Sequence, residues 1–298
     1  MGLVAEQHPQ EPTESTGKRS SPGVLADRET LGNRFVYLTV SPRARGLSVE
    51  VNLNPDRRCN FECLYCDVDR QSPSGESQVD VDILADELDR TLAQVQQGQL
   101  RPLECFRNLP DELLTLRQVA ISGDGEPTLC PVFADALRAV VHVRARGQFP
   151  FFKIVLLTNG TTLDQPSVQQ GLRLLIPQDE VWVKLDCGSS AYFKRVNRPH
   201  ANLAKVLGNI LLLARQRPVV IQSLFPLIDG QEPPEDEIDQ YAHRLLELVD
   251  GGAQIPLIQI YSATRAPTHP ECGHLPLRTL SRIAQKVRLS TNLPVEVF

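Results

Sequence analysis

Cys59, Cys63 and Cys66 stand at C-x3-C-x2-C spacing in the run Cys59-Asn-Phe-Glu-Cys63-Leu-Tyr65-Cys66. Three thiolates this close together suit three irons of a cubane cluster. They leave the fourth iron open to a bidentate ligand such as the amino and carboxylate groups of a methionine. Zinc is the competing reading, but a structural zinc site closes with four ligands, usually as two spaced pairs. Here the next cysteine is the distant, unpaired Cys105, and no histidine follows at finger spacing. The spacing favours an iron–sulfur cluster.

Further along, Gly123-Asp-Gly125-Glu126-Pro127 combines glycines, which let backbone approach a ligand closely, with a carboxylate that suits an ammonium group. A tight turn held by its own hydrogen bonds fits the same residues. Asn159-Gly160 reads either as a turn or as a polar group facing a cofactor. Trp182, Lys184 and Asp186 alternate and so share one strand face. Lys184 there suits a substrate anchor, an imine-forming amine or a structural partner for Asp186. By the same parity Gln222 and Gln259 are inward candidates on later strands. Arg198, in Asn197-Arg198-Pro199-His200, would either clamp an anionic substrate group or belong to a helix-initiating turn.

The elements that must position these groups alternate. Residues 49–53 read as a strand leading into the cysteine loop, and Asp80 caps a helix with the stripe Leu84, Leu88, Leu92 and Val95. An irregular insert at 98–117 precedes a strand at 118–122, and Pro131 suits the first turn of a helix bearing Phe133, Leu137 and Val140. Strands at 152–157, 181–185, 219–224 and 255–261 follow, separated by helical patterns, with a terminal strand at 294–298. Six apolar strands each followed by a helix predict an α/β fold with a mainly parallel sheet, curled into an open, partial (β/α)6 TIM-like barrel. A flat doubly wound sheet is the alternative. The barrel is favoured because the unusual residues, Ser262 among them, lie just after strands, on the face where barrels collect catalytic groups.

With these residues in view, the cysteine loop resembles that of the radical S-adenosylmethionine superfamily, C-x3-C-x-aromatic-C, with Tyr65 at the aromatic position. The resemblance covers about residues 49–298. It implies an enzyme whose [4Fe–4S] cluster, on Cys59, Cys63 and Cys66, reductively cleaves S-adenosyl-L-methionine to a 5′-deoxyadenosyl radical that abstracts hydrogen from substrate. It also implies that Gly123, Gly125, Glu126 and Pro127, similar to a Gly-Gly-Glu-Pro element, receive the methionine amino group. Asp186 would contact the ribose. The stretch 183–200, Leu157-Thr-Asn-Gly160 and Ile260-Tyr-Ser262 further resemble the wyosine-synthase-like group of iron–sulfur oxidoreductases. Members of that group that modify tRNA carry a second cluster on upstream cysteines, and this chain has none before Cys59. The substrate is therefore left open, with tRNA modification and a non-catalytic iron–sulfur electron carrier as alternatives.

Bulk composition agrees with a globular enzyme: 41% hydrophobic and 22% charged residues over 298. The net charge of −5 gives no support for a polyanion-binding surface. No apolar run approaches a membrane span, and neither a secretory signal nor a myristoylation motif is evident, so a cytoplasmic location is expected. Residues 1–30, rich in Pro, Ser, Gln, Glu and Thr, read as a disordered tail before a core domain at 31–298. Cys130, Cys187 and Cys272 read as buried thiols, as ligands of a second cluster, or, for Cys187, as a hydrogen-atom donor to a product radical. His269, Cys272 and His274 suit either a metal or a solvated loop. Arg43, Arg45, Arg57 and Arg58 suggest a basic patch for an acidic electron donor such as flavodoxin or ferredoxin.

Overall fold

The computed structural model describes residues 25–26, 28–70, 78–263 and 267–298; most of the expected tail, 1–30, lies outside the described residues. The chain opens with β1 (Leu25–Ala26), α1 (Arg28–Leu31), β2 (Val36–Ser41) and β3 (Gly46–Asn52). Then come α2 (Val81–Gln96), β4 (Leu116–Ser122), α3 (Phe133–Ala145), β5 (Lys153–Thr158), α4 (Pro166–Leu172) and β6 (Glu180–Lys184). α5 (Ser190–Val196), α6 (Leu203–Ala214), β7 (Val220–Leu224) and β8 (Leu227–Ile228) follow. The chain finishes with α7 (Glu235–Asp250), β9 (Ile258–Tyr261), β10 (Cys272–Gly273), α8 (Leu277–Thr291) and β11 (Val295–Val297).

The main sheet has the order β1-β2-β3-β4-β5-β6-β7-β9-β11, parallel from β3 onward. Each parallel strand lies beside the previous one, with no reversal at which a doubly wound sheet would change direction. That sequential order separates the partial TIM-like barrel from the flat alternative. The six parallel strands and the terminal strand stand where the sequence pattern puts them. The antiparallel β1–β2 edge is additional: β2 pairs β3 from Val36↔Val51 to Ser41↔Gly46.

Two apolar layers result from strand alternation. The larger lies between the sheet and its helices, where Val49, Val51, Val119, Ile121, Ile154 and Leu156 meet Leu84, Leu88, Leu137 and Val140. The smaller, Ala120, Val155, Trp182 and Val220, fills the inside of the barrel. Trp182 Nε1 donates to Glu180 Oε2 at 2.7 Å, and Lys153 pairs with Glu180 at 2.6 Å, so the indole is fixed in place. α2 starts as expected, with Asp80 accepting from the Asp82 and Ile83 amides.

A buried carboxylate secures the added edge. Glu87 on α2 accepts from the backbone N–H groups of Arg34 (2.7 Å), Phe35 (2.8 Å) and Val36 (3.3 Å) at the entry to β2. Removing it strands buried donors, each costing about 1–3 kcal/mol. Glu87→Ala is therefore expected to destabilise the fold by about 2–3 kcal/mol, read as a lowered midpoint in chemical denaturation at unchanged m-value.

Candidate active site

The loop from 53 to 70 that follows β3 has neither helix nor strand of its own, apart from an isolated bridge between Phe61 and Pro199. Its shape comes from the segment after α5. Glu62 N–H donates to Asn197 O (3.1 Å), Leu64 N–H to Val196 O (2.8 Å), and His200 N–H to Asn60 O (3.0 Å). The Phe61 and Phe193 rings meet edge to face at 5.5 Å. Thr268 N–H closes the far end on Cys66 O at 2.9 Å. Pinned this way, Cys59, Cys63, Tyr65 and Cys66 face a cavity of about 450 Å³ inside the barrel.

Each of the three sulfurs accepts one N–H from a different source. Phe61 N–H donates to Cys59 Sγ (3.4 Å), Asn197 Nδ2 to Cys63 Sγ (3.5 Å), and Arg70 Nη2 to Cys66 Sγ (3.6 Å). Burial pushes the Cys63 thiol up to about 12, with Asp186 adding to it, and burial also raises Cys59. In the metal-free chain these groups hold their protons, so metal loading must displace them.

The element 123–127 is pressed against this loop. A Cβ on Gly125 would lie 2.0 Å from Arg58 O, and one on Gly123 2.1 Å from Asn52 Oδ1. Glu126 N–H donates to the same Arg58 carbonyl at 3.0 Å. The glycines thus serve the approach of one loop to another. Glu126 is only 2% exposed. Its Oε1 accepts from the Thr128 amide and hydroxyl and from Thr158 Oγ1 (2.6 Å), and its Oε2 accepts from Asn159 N–H (2.6 Å). Burial raises its pKa against these hydrogen bonds. Asn159 makes the expected turn, accepting from Thr161 N–H (3.0 Å), and it also donates to Asn60 Oδ1 (2.7 Å) on the cysteine loop.

On β6 and beyond, Lys184 faces the cavity and Asp186 does not. Asp186, expected at the ribose, has both oxygens engaged within the protein. Oδ1 accepts from Leu224 N–H (2.8 Å), and Oδ2 accepts from Tyr65 OH and Asn197 Nδ2 (2.7 Å). Lys184 Nζ donates to Tyr261 OH at 3.0 Å, lies over the Tyr65 ring at 4.6 Å and stands 3.9 Å from Asp186 Oδ1. Burial opposes its charge, but Asp186 and its other neighbours hold its pKa above the ordinary lysine value. Gln222 donates to Gln259 Oε1 at 2.9 Å, both buried, as their parity predicts.

Cys187, expected as a hydrogen-atom donor or buried thiol, is fully buried outside the cavity lining. Arg198 takes a left-handed backbone conformation (φ 42°) and pairs with Glu271 (2.9 Å) and His269 Nδ1 (3.3 Å) outside the lining, so it braces the loop. The four arginines do not form one patch: Arg43 enters the cavity over Tyr261, while Arg45 pairs with Glu296 on β11 at 3.0 Å. Cys130 and Cys187 are buried and Cys272 lies in the short strand β10, all three outside the cavity lining. Asn60, Arg70 and Asn197 were missed as site residues, as were Glu50, Gln118 and Tyr261. Parity with Gln259 was a usable signal for Tyr261; nothing local marked the others.

A parallel half-barrel with a thiol-lined cavity at the ends of its strands defines a class of barrel enzymes that house a cofactor within the sheet. Residues 53–243 match the family model of the Radical SAM superfamily, and the chain belongs to that superfamily. It is accordingly an enzyme that uses a [4Fe–4S] cluster held by three cysteines, together with S-adenosylmethionine. Among solved structures it is similar to SuiB of Streptococcus suis bound to S-adenosylmethionine, with TM-score 0.57 and 14% identity over 86% of this chain and 52% of that one. It is also similar to TYW1 with a lysine–pyruvate adduct bound, with TM-score 0.53 and 14% identity over 86% and 84%. At these identities the likeness is one of fold, and the chain spans about half the length of SuiB. The search of curated proteins found no match. Among the described residues no helix is long and apolar enough to cross a membrane.

Because Gly125 has no room for a side chain, Gly125→Ala is expected to push the 123–127 element off the cysteine loop. Anaerobic reconstitution should then give clearly less iron per chain than wild type while far-ultraviolet circular dichroism stays native.

Proposed function

We propose that Cys59, Cys63 and Cys66 hold three irons of the cluster, and that the enzyme abstracts a hydrogen atom from a substrate bound in the barrel cavity. The observation that carries this reading is the N–H donor at each of the three sulfurs. Such donors complement anionic thiolate ligands and orient them. The half-exposed cysteines on the cavity wall, beside a glycine cradle, fit the group. When bound, the cluster supplies the electron that cleaves S-adenosylmethionine into methionine and the 5′-deoxyadenosyl radical.

The chain's own residues do the positioning. Asp186 fixes both Tyr65 and Asn197, and through Asn197 the Cys63 sulfur. Glu126 ties the end of β4 to the end of β5, leaving Gly123, Gly125 and Pro127 to line the cofactor's side of the cavity. Ala120, Val155, Trp182 and Val220 form an apolar floor that excludes water from below. An external reductant, of flavodoxin or ferredoxin type, delivers the electron.

An imine-forming lysine is a second reading, suggested by the lysine–pyruvate adduct in TYW1. Lys184, engaged with Tyr261 and held charged beside Asp186, is better suited to anchoring an anion than to nucleophilic attack.

Anaerobic reconstitution is expected to load about four irons per chain, and dithionite with S-adenosylmethionine should release 5′-deoxyadenosine. Cys63→Ala should abolish both; release by that variant at the wild-type rate would overturn the reading. Asn197→Leu, which removes a donor from Cys63, should shift the cluster's midpoint potential to more negative values in an electron paramagnetic resonance titration.

A further inference from the structure

The cavity wall is electrically divided. On the β3–β4 side the lining carries the carboxylate Glu50 and the Gln118 amide. Glu50 takes the Ser48 hydroxyl (2.7 Å) and the Ser122 hydroxyl (2.5 Å), and Gln118 donates through Nε2 to Ser48 Oγ (3.2 Å). Gln118 is 1% exposed, and its Oε1 is a buried acceptor with no donor among the described residues.

On the β6–β9 side two cations converge on one ring. Arg43 Cζ lies 4.4 Å from the Tyr261 centroid, and Lys184 Nζ lies 5.4 Å from it. Arg43 comes from the turn between β2 and β3. Its Nε is buried without a hydrogen-bond partner, and no carboxylate pairs with it among the described residues. Asp186 is saturated by other donors, so Lys184 keeps N–H groups for the cavity. Two buried-side cations and one orphaned acceptor are costly unless a ligand completes them.

We infer that the substrate is a small organic oxyanion, a carboxylate or phosphate ester, that also carries an amino or hydroxyl group. Arg43 and Lys184 hold the oxyanion beside Tyr261, and Gln118 Oε1 accepts from the amino or hydroxyl group. This rests on the enzyme reading above and names the substrate class for the same cavity. The planar guanidinium suits two-point contact with an oxyanion, whereas lysine acts as a point charge. Their shared contact with Tyr261 sets the anion's place against the ring.

The test uses reconstituted holoenzyme saturated with S-adenosylmethionine, titrated calorimetrically with lactate, serine and glycerol 3-phosphate. Propane-1,2-diol and ethanolamine serve as uncharged and cationic counterparts. One or more of the oxyanions is expected to bind and the counterparts not to; which oxyanion binds separates carboxylate from phosphate. Arg43→Gln and Lys184→Met should each weaken that binding by about tenfold or more. Arg43 lies in a half-exposed turn, so its variant serves should Lys184→Met fail to fold. Equal binding of the counterparts, no oxyanion binding at about 10 mM, or unchanged affinity in the variants would overturn the inference. So would variants that lose S-adenosylmethionine instead of the oxyanion. Release of 5′-deoxyadenosine by the wild type tests the enzyme reading separately. Its absence fails that reading, and its presence without oxyanion binding fails only the inference made here.

Discussion

The three cysteine sulfurs must hold fixed positions on a loop that cannot hold itself. Between β3 and α2 the backbone has almost no regular ladder to satisfy its N–H and C=O groups, so those groups take partners from distant chain. Asn197 O, Val196 O and Thr268 N–H bond to it directly, as does the Glu126 amide through Arg58 O. These partners follow three different parallel strands: Glu126 after β4, Val196 and Asn197 after β6, and Thr268 after β9. The barrel is what brings those loops to one end, and the cysteine loop is the hub on which they meet.

Two buried carboxylates carry this convergence. Asp186 links β6, β7 and the cysteine loop, and Glu126 links β4 to β5. Buried charges of this kind are tolerable only when fully hydrogen-bonded, and both are. Saturation fits both of them to position other side chains. They hold Tyr65, Asn197 and Asn159, which in turn border the cavity or the sulfurs. Lys184, with its carboxylate neighbour engaged elsewhere, is left facing inward.

The parallel strands were legible because alternating apolar strands and helical stripes obey strict local periods. Asp80 as a helix cap and the inward parity of Gln222 and Gln259 come from the same local rules. The edge strand β2 was less legible. Its pattern is short, and its anchor, Glu87, lies some fifty residues away on the face of a helix. Gly123 and Gly125 stand in the cavity lining, and a side chain on either would also strike its neighbours, the Asn52 amide and the Arg58 carbonyl, a packing demand the sequence does not display.

By itself the sequence determined the alternation of strands and helices and the C-x3-C-x2-C thiol set, since spacing and periodicity are properties of neighbouring residues; the sequential strand order that makes the sheet a partial barrel came from the tertiary structure. Only the tertiary structure decided which side chains face the cavity and which are spent on the protein. Asp186, Cys187 and Arg198 turned away, while Arg43 and Gln118 turned in. Burial and hydrogen-bond saturation arise between segments far apart in the chain, and no local pattern of residues encodes whether an acceptor already has its donor.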